Sequence, residues 1–236
     1  MGKSVCIILI CLSFLDQAIG QSHTFQIWSD FTVAVPLKNT FHLENQLAWR
    51  GDVNGSPKWQ ELRAQSLATK RLGDRWDLLA YLLVDYTDQT KNLNTSEIRP
   101  GVGARFYILK QPSLSVASVF RYEARQIYSY DVATWTHDDR FRLRVETNVA
   151  IKRGDIPGKY AIYALTDAEF FYTVDTEVRE RYANRLRLRR GIGYTLSKFW
   201  QVEAVYAYQV SRNTLVKPSL DTRQNVIWVR VVYSAN

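Results

Sequence analysis

The chain has 236 residues, a formal net charge of +8 and a pI of about 9.5. Its two cysteines, Cys6 and Cys11, both lie close to the N-terminus, so the rest of the chain can hold no disulfide and no thiolate metal site. After this first segment no run of about twenty apolar residues occurs, which excludes a transmembrane helix. The mean hydropathy of −0.26 fits a soluble protein and a membrane β-barrel equally well, because only alternate residues of a barrel strand face lipid.

Residues 1–20 have the pattern of a secretory signal peptide. Lys3 supplies a positive charge, an apolar stretch covers 5–15, and the small residues Ala18 and Gly20 precede Gln21. We expect cleavage before Gln21, which removes both cysteines and leaves a single mature domain over 21–236. An exported chain without disulfides is typical of the bacterial envelope, and export makes nucleic acid an unexpected partner.

The rest of the chain repeats runs of about ten to fourteen residues in which apolar and polar side chains alternate. A period of two is that of a β-strand, and the length suits strands that cross a bilayer, since strands of soluble sheets are about half as long. Eleven such runs occur, at about 25–35, 40–50, 59–71, 75–87, 96–108, 113–126, 140–152, 160–173, 182–195, 199–211 and 222–234.

The breaks between the runs alternate in length. Tight turns are predicted at 36–39, 72–75, 110–112, 153–158 and 197–198, and longer polar loops at 51–58, 87–95, 127–139, 174–181 and 212–221. Aromatic residues stand beside the tight turns, as in the interfacial girdle of a membrane barrel: Trp76, Tyr107, Tyr194, Phe199, Trp200 and Tyr233. This rhythm predicts an all-β, antiparallel meander transmembrane β-barrel in the bacterial outer membrane, with turns inside and loops outside.

The number of strands is the open point of this prediction. Bacterial single-chain barrels carry an even number of strands, whereas eleven runs are present. The ten runs from 40 to 234 can close by themselves, so the run 25–35 pairs unusually, packs outside the meander, or is accompanied by an unrecognised twelfth strand. The sequence therefore predicts ten to twelve strands.

Two runs, 140–146 and 185–189, alternate arginine with apolar residues, so one face is charged and the other apolar. In a membrane barrel the apolar face meets lipid and the charged face lines the interior. The same alternation in the other runs also separates a charged face from an apolar one. The charged faces together place these side chains in the lumen: Arg99, Arg105, Arg121, Glu123, Arg125, Arg142, Arg144, Glu146, Glu169, Arg185, Arg187, Arg189, Glu203 and Arg230. Arg190 breaks the phase, and we expect it to lie near an interface or to be turned inward by a bulge.

The charged lumen allows two interpretations. Arginine–glutamate pairs between neighbouring strands would brace and close the narrow interior, whereas a surplus of arginine would form a passage for small anionic solutes. Arginine suits the second task because its forked donors bind carboxylate or phosphate groups in pairs.

Little in the sequence points to catalysis or to a cofactor. The histidines are His23, His42 and His137, and none is spaced with another as metal ligands are. His42 has no serine on the charged face of its strand, and Ser66 and Ser118 fall on outward faces. His137, Asp138 and Asp139 lie together in a predicted loop, where they would be a weak cation site. We predict no catalytic residue, no metal and no cofactor.

A series of short motifs occurs in order along the chain: Trp28 in the first run, Glu97-Ile98-Arg99-Pro100, Arg121-Tyr122-Glu123, Phe141-Arg142-Leu143-Arg144, Ala168-Glu169-Phe170-Phe171, Asn184-Arg185, Gly191-Ile192-Gly193-Tyr194 and Val205-Tyr206-Ala207-Tyr208-Gln209. In this order the chain resembles the DUF2490 family of bacterial envelope proteins over nearly the whole mature length. The resemblance implies an outer-membrane β-barrel and carries no activity.

The sequence thus predicts a structural envelope barrel or a narrow channel with an arginine-rich lumen. Outer-membrane lipid and small anionic solutes are the expected partners. Two alternatives stay open, an outer-membrane enzyme that modifies lipid or lipopolysaccharide and a soluble secreted barrel that binds a small ligand.

Overall fold

The computed structural model describes residues 23–38, 40–53, 59–89, 93–153, 160–174, 183–213 and 220–235. The signal peptide expected over 1–20, with Cys6 and Cys11, lies outside these residues. No helix in the described part of the chain is long and apolar enough to cross a membrane.

Eleven strands make up nearly all of the described chain. They are β1 (His23–Lys38), β2 (Phe41–Asp52), β3 (Gln60–Leu72), β4 (Trp76–Asp88), β5 (Thr95–Lys110), β6 (Leu114–Ser129), β7 (Thr134–Arg153), β8 (Tyr160–Thr173), β9 (Ala183–Thr195), β10 (Trp200–Asn213) and β11 (Leu220–Ser234). The strands β1, β3, β5, β7 and β9 end at one rim of the barrel, which we call the turn rim. The opposite rim is called the loop rim.

The strands form one closed barrel in which each is antiparallel to its neighbours in sequence. The barrel closes where β1 pairs with β11, and this pairing is parallel, with Trp28 opposite Trp228. Parallel closure follows from parity, because the first and last of an odd number of alternating strands point the same way. The predicted barrel fold is confirmed, the number of strands is eleven, and the run 25–35 is the strand that pairs unusually.

The connection between β6 and β7 differs from the sequence prediction. The predicted loop 127–139 is wrong, because β6 continues to Ser129 and β7 begins at Thr134. A four-residue turn joins them, with Ala133 in the left-handed region at a φ of 50°. Polar residues such as His137 and Asp138 continue the alternation of β7, and their polarity reflects a strand end near the barrel rim.

The barrel wall reverses the usual distribution of apolar and charged residues. Large apolar side chains on its outer face are exposed, among them Leu47 and Leu62 at 60% and Ile192 at 57%. The inner face contains carboxylates with no exposure, such as Glu123 and Asp138. Soluble folds rarely bury charges so completely, whereas membrane barrels are apolar outside and polar inside.

Two glycines in the wall make room for inward tyrosines. The ring of Tyr81 lies over Gly101 on the neighbouring strand, and its hydroxyl donates a 2.5 Å hydrogen bond to Glu123 one strand further on. In the same way the ring of Tyr163 lies over Gly193, and its hydroxyl donates to Glu203 over 2.5 Å. A Cβ at Gly193 would clash with Cζ of Tyr163. The two Gly-x-Gly motifs, 101–103 and 191–193, thus each supply one such contact.

Aromatic rings face outward near both rims. Pairs near the turn rim are Trp76 with Phe106, at 4.7 Å between centroids, and Trp200 with Tyr233, at 4.9 Å, and Tyr128 contacts Trp135 near the loop rim at 5.3 Å. Tyr107 differs from its expected girdle position, because its hydroxyl points inward and donates to Asp77 over 3.0 Å.

Candidate functional site

The inner face of the barrel carries a network of ion pairs. Twelve of the fourteen residues that the sequence places in the lumen make ion pairs there. The two exceptions are Arg121 and Arg185. Arg185 is exposed beside the loop rim, at an irregularity in the pairing of β9 with β10.

Near the loop rim the ion pairs run without interruption across six strands, from β2 to β7. Successive contacts join Arg50 to Glu61 (3.5 Å), Glu61 to Arg63 (2.6 Å), Arg63 to Asp85 (3.5 Å), Asp85 to Arg99 (3.7 Å), Arg99 to Glu97, Glu97 to Arg125 (2.8 Å) and Arg125 to Asp138 (3.2 Å). Arg125 binds both oxygens of Glu97 through Nε and Nη2, each at 2.8 Å. Such a bidentate contact is the strongest geometry available to this pair.

A second cluster lies at mid-height and is centred on Glu123 and Glu169. Arg142 joins them, with Nη1 2.5 Å from Oε1 of Glu123 and Nη2 2.6 Å from Oε1 of Glu169. Arg140 donates to Glu123 through Nε over 2.7 Å, and Arg187 lies 3.4 Å from Glu169. This cluster links β6, β7, β8 and β9 across the interior.

Smaller groups of charges lie toward the turn rim. Arg105 stands between Asp77 and Glu146, at 3.4 and 3.0 Å, and Arg144 reaches Glu146 at 2.7 Å. On the other side of the barrel Arg230 contacts Glu203 at 2.5 Å. Charged side chains therefore cross the interior at three heights.

The network is costly to break because its members are buried. Glu169 and Arg125 are each 1% exposed. Removing one partner of a buried pair leaves an uncompensated charge and typically costs about 3–5 kcal/mol. The arrangement therefore favours a fixed interior in which every carboxylate keeps its arginines.

A cavity of about 70 Å³ remains in the loop-rim half of the barrel, and the ion pairs near the loop rim form part of its lining. This volume holds about five water molecules at the ~10–15 Å³ that each needs. Its walls include Trp28, Trp59, Arg50 and Arg187, and Arg142 forms part of its floor. The cavity therefore borders on the central cluster, through Arg142 and Arg187.

Several members of the network are absent from the set that the sequence placed in the lumen: Arg50, Arg63, Asp85, Glu97, Asp138 and Arg140. Alternation could have found Glu97 and Arg140, which share the phase of Arg99 and Arg142. Asp85 shares the inner face of β4 with Asp77, but the apolar Leu79 and Leu83 lie on the same face and obscure the alternation. Asp138 was hidden by the predicted loop.

The candidate catalytic and cation-binding groups are not brought together. Ser66 faces outward and donates to Oδ1 of Asn45 over 2.7 Å, whereas His42 has the inward phase of β2. The expected grouping of His137, Asp138 and Asp139 in a loop is wrong, since Asp138 points inward to Arg125 and His137 stays outside with Asp139, 3.1 Å away. In the described residues no group of three His, Cys, Asp or Glu side chains is arranged to hold a metal ion.

Arg190 lies on the outer face in the middle of β9. Its pairing with Thr166 and Tyr206 is regular, so the bulge expected to turn it inward is absent at this position. Its guanidinium carbon lies 5.1 Å from the ring centroid of Tyr206, a cation–π contact that partly offsets the cost of an outward charge.

The apolar outer wall and the ionic interior define the chain as a closed β-barrel of the membrane type. A solved structure titled "NanC porin structure in rhombohedral crystal form" is similar to this chain, with a TM-score of 0.50 and 10% sequence identity, over 78% of this chain and 87% of that chain. At this identity the similarity concerns the fold alone. No curated protein matches the chain.

The chain belongs to the family described as "Protein of unknown function (DUF2490)", whose model matches residues 25–216. The resemblance seen in the sequence is thereby confirmed. The match runs from β1 into the connection after β10, so it includes the network strands β2 to β9.

Proposed function

We propose that this chain is a structural β-barrel of the bacterial outer membrane, with a lumen that is closed by its own ion pairs. The observation that carries the proposal is the network itself, which links strands from β2 to β9 and encloses a cavity of only about 70 Å³. The similarity of the fold to a solved porin barrel supports the location.

The outer wall supports a membrane location. Leucine, isoleucine and phenylalanine side chains such as Leu62, Ile192 and Phe170 are more than half exposed. In a soluble ligand-binding barrel these apolar side chains would face water, at a free-energy cost of about 25 cal/mol for each Å² of apolar surface. Aromatic rings near both rims match the interfacial girdles of membrane barrels.

The interior supports closure of the lumen. For a hydrated ion to pass mid-height, Arg142 would have to leave Glu123 and Glu169, to which it is bound at 2.5 and 2.6 Å. The cost of separating such buried partners, about 3–5 kcal/mol, makes the closed state dominant. The lipid-modifying alternative lacks support, because Ser66 bonds to Asn45 and has no histidine partner among the described residues.

Adjacent leucines on β4 test the membrane location directly. Leu82 is 50% exposed on the outer face and Leu83 is 1% exposed inside. A spin label on Leu82→Cys in reconstituted vesicles should be accessible to oxygen and shielded from a polar nickel complex. The matched Leu83→Cys thiol should stay unlabelled until the protein is unfolded. Free access of the nickel complex to the label at position 82 would place the outer wall in water and contradict the proposal.

A further inference from the structure

The cavity at the loop rim has an excess of positive charge on its surface. Of the residues that the structure describes, seven arginines line it, against three carboxylates, Glu61, Asp85 and Glu97. Most of the carboxylates that balance the remaining arginines, such as Glu123 and Glu169, lie behind them and do not line the cavity. The surface that faces the cavity is therefore rich in guanidinium donors.

Two of these arginines have unused donors. Arg50 and Arg63 both contact Glu61, at 3.5 and 2.6 Å, and Arg63 also contacts Asp85 at 3.5 Å. Among the described residues neither Nε has a hydrogen-bond partner, although both atoms are buried. A buried donor without an acceptor costs about 1–3 kcal/mol, so an acceptor group in the cavity would be stabilised there.

A tryptophan holds two of the arginines in place. The guanidinium carbon of Arg50 lies 4.1 Å from the ring centroid of Trp28, and that of Arg187 lies 4.9 Å from it. These cation–π contacts order both side chains before any ligand arrives. They also hold two like charges within 5 Å of one ring, and an anion would relieve their repulsion.

We propose that this cavity binds the oxyanion group of a small solute, a carboxylate or a phosphate, which Arg50, Arg63 and Arg187 hold against Trp28. The forked donors of arginine match both groups. The cavity lies between the loop rim and the central cluster, so the solute enters from the loop rim and does not cross the barrel. The site rests on the proposed function only in that the closed network forms its floor.

Isothermal titration of the refolded chain in nonionic detergent tests this site. Inorganic phosphate and malonate are titrated separately at constant ionic strength, and each probe represents one source of the oxyanion. We expect saturable binding at one site for at least one probe. Arg50→Gln should weaken that binding at least tenfold. Arg230→Gln, which removes a charge near the turn rim, is the matched control and should change it less than twofold.

Glu61→Gln provides a test in the opposite direction. It removes the carboxylate that competes for Arg50 and Arg63, so the bound probe should be held more tightly, by about threefold or more. Heat-modifiable gel mobility checks that each variant is folded. Absence of saturable binding for both probes, or equal binding by Arg50→Gln and the unmodified chain, overturns the site. If the probe binds and the protein gives no conductance in bilayers, both the anion site and the closed lumen are supported. If the probe binds and the protein does conduct, the closed lumen is contradicted and the anion site is not.

Discussion

The effect of a charge inside this barrel depends on what its removal leaves behind. Arg142 is bound by Glu123 and Glu169, so its loss leaves two buried carboxylates short of a partner. Arg121 lies opposite Arg142 in the pairing of β6 with β7, and no carboxylate of the described residues makes an ion pair with it. The guanidinium carbon of Arg121 instead lies 5.4 Å from the ring centroid of Tyr81. Its Nε has no hydrogen-bond partner among the residues that the structure describes.

Replacement of these two arginines by methionine should therefore have opposite effects. Arg121→Met exchanges an uncompensated buried charge for an apolar side chain and should raise the free energy of unfolding by about 1–4 kcal/mol. Arg142→Met should lower it by about 3–5 kcal/mol. Urea titration of the protein in vesicles, followed by tryptophan fluorescence, measures both values. A loss of stability in Arg121→Met would show that this side chain has a partner in the membrane.

Gly193 is fixed by the tyrosine that lies over it. Alanine in a strand is normally favoured over glycine by about 0.5–1 kcal/mol, but a Cβ here would clash with Cζ of Tyr163. Gly193→Ala should displace the ring from Glu203 and destabilise the barrel by about 1–3 kcal/mol. In the same urea titration the double variant Gly193→Ala/Tyr163→Ala should lose less stability than the sum of the two single variants, because the added Cβ no longer meets the ring. Additive losses in the double variant would show that the ring does not cause the effect.

Among the strands, β1 has the least usual role. It enters the barrel from the loop rim, pairs antiparallel with β2 and closes the barrel by parallel pairing with β11. Trp28 of β1 and Trp228 of β11 meet edge to face in the lumen at 5.3 Å between ring centroids. The parallel seam is thus held by a buried aromatic pair as well as by backbone hydrogen bonds.

A disulfide across this seam tests the eleven-strand closure. Ile27 and Ile227 are opposite each other on the outer face, and neighbouring strands lie about 4.7–4.9 Å apart, within disulfide range. Ile27→Cys/Ile227→Cys in the mature chain should oxidise readily and shift the gel mobility of the denatured protein. Ile27→Cys/Trp228→Cys places the thiols on opposite faces and should stay reduced. Efficient oxidation of Leu47→Cys/Val229→Cys would indicate a ten-strand barrel closed by β2 and β11.

For the molecule as a whole, local alternation predicted the barrel well. The phase of the arginines at 140–146, together with run length and turn rhythm, was sufficient for the fold, because each depends on neighbours within one strand. The parallel closure was not predicted, since alternation along β1 does not say which strand it pairs with. Strand ends were also misplaced where polar residues continued a strand, as in β7.

The candidate site was predictable only in part. The phase of β6 and β9 indicated which face carries Glu123 or Arg187, but the pairing of arginines with carboxylates involves residues far apart in sequence. Arg142 and Glu169 are brought together by the register of β7 with β8. Such long-range pairings decide whether the arginines outnumber the carboxylates that bind them. The sequence pattern within one strand does not reveal these pairings.

Single-molecule conductance in planar bilayers tests the closed lumen most directly. The unmodified chain should insert and give no stable conductance steps, because the central cluster blocks the passage. The triple variant Glu123→Ala/Arg142→Ala/Glu169→Ala removes the centre of the cluster and should give small, anion-selective steps, since Arg140 and Arg187 then lack their carboxylates. Stable conductance steps from the unmodified chain would contradict a lumen closed by ion pairs.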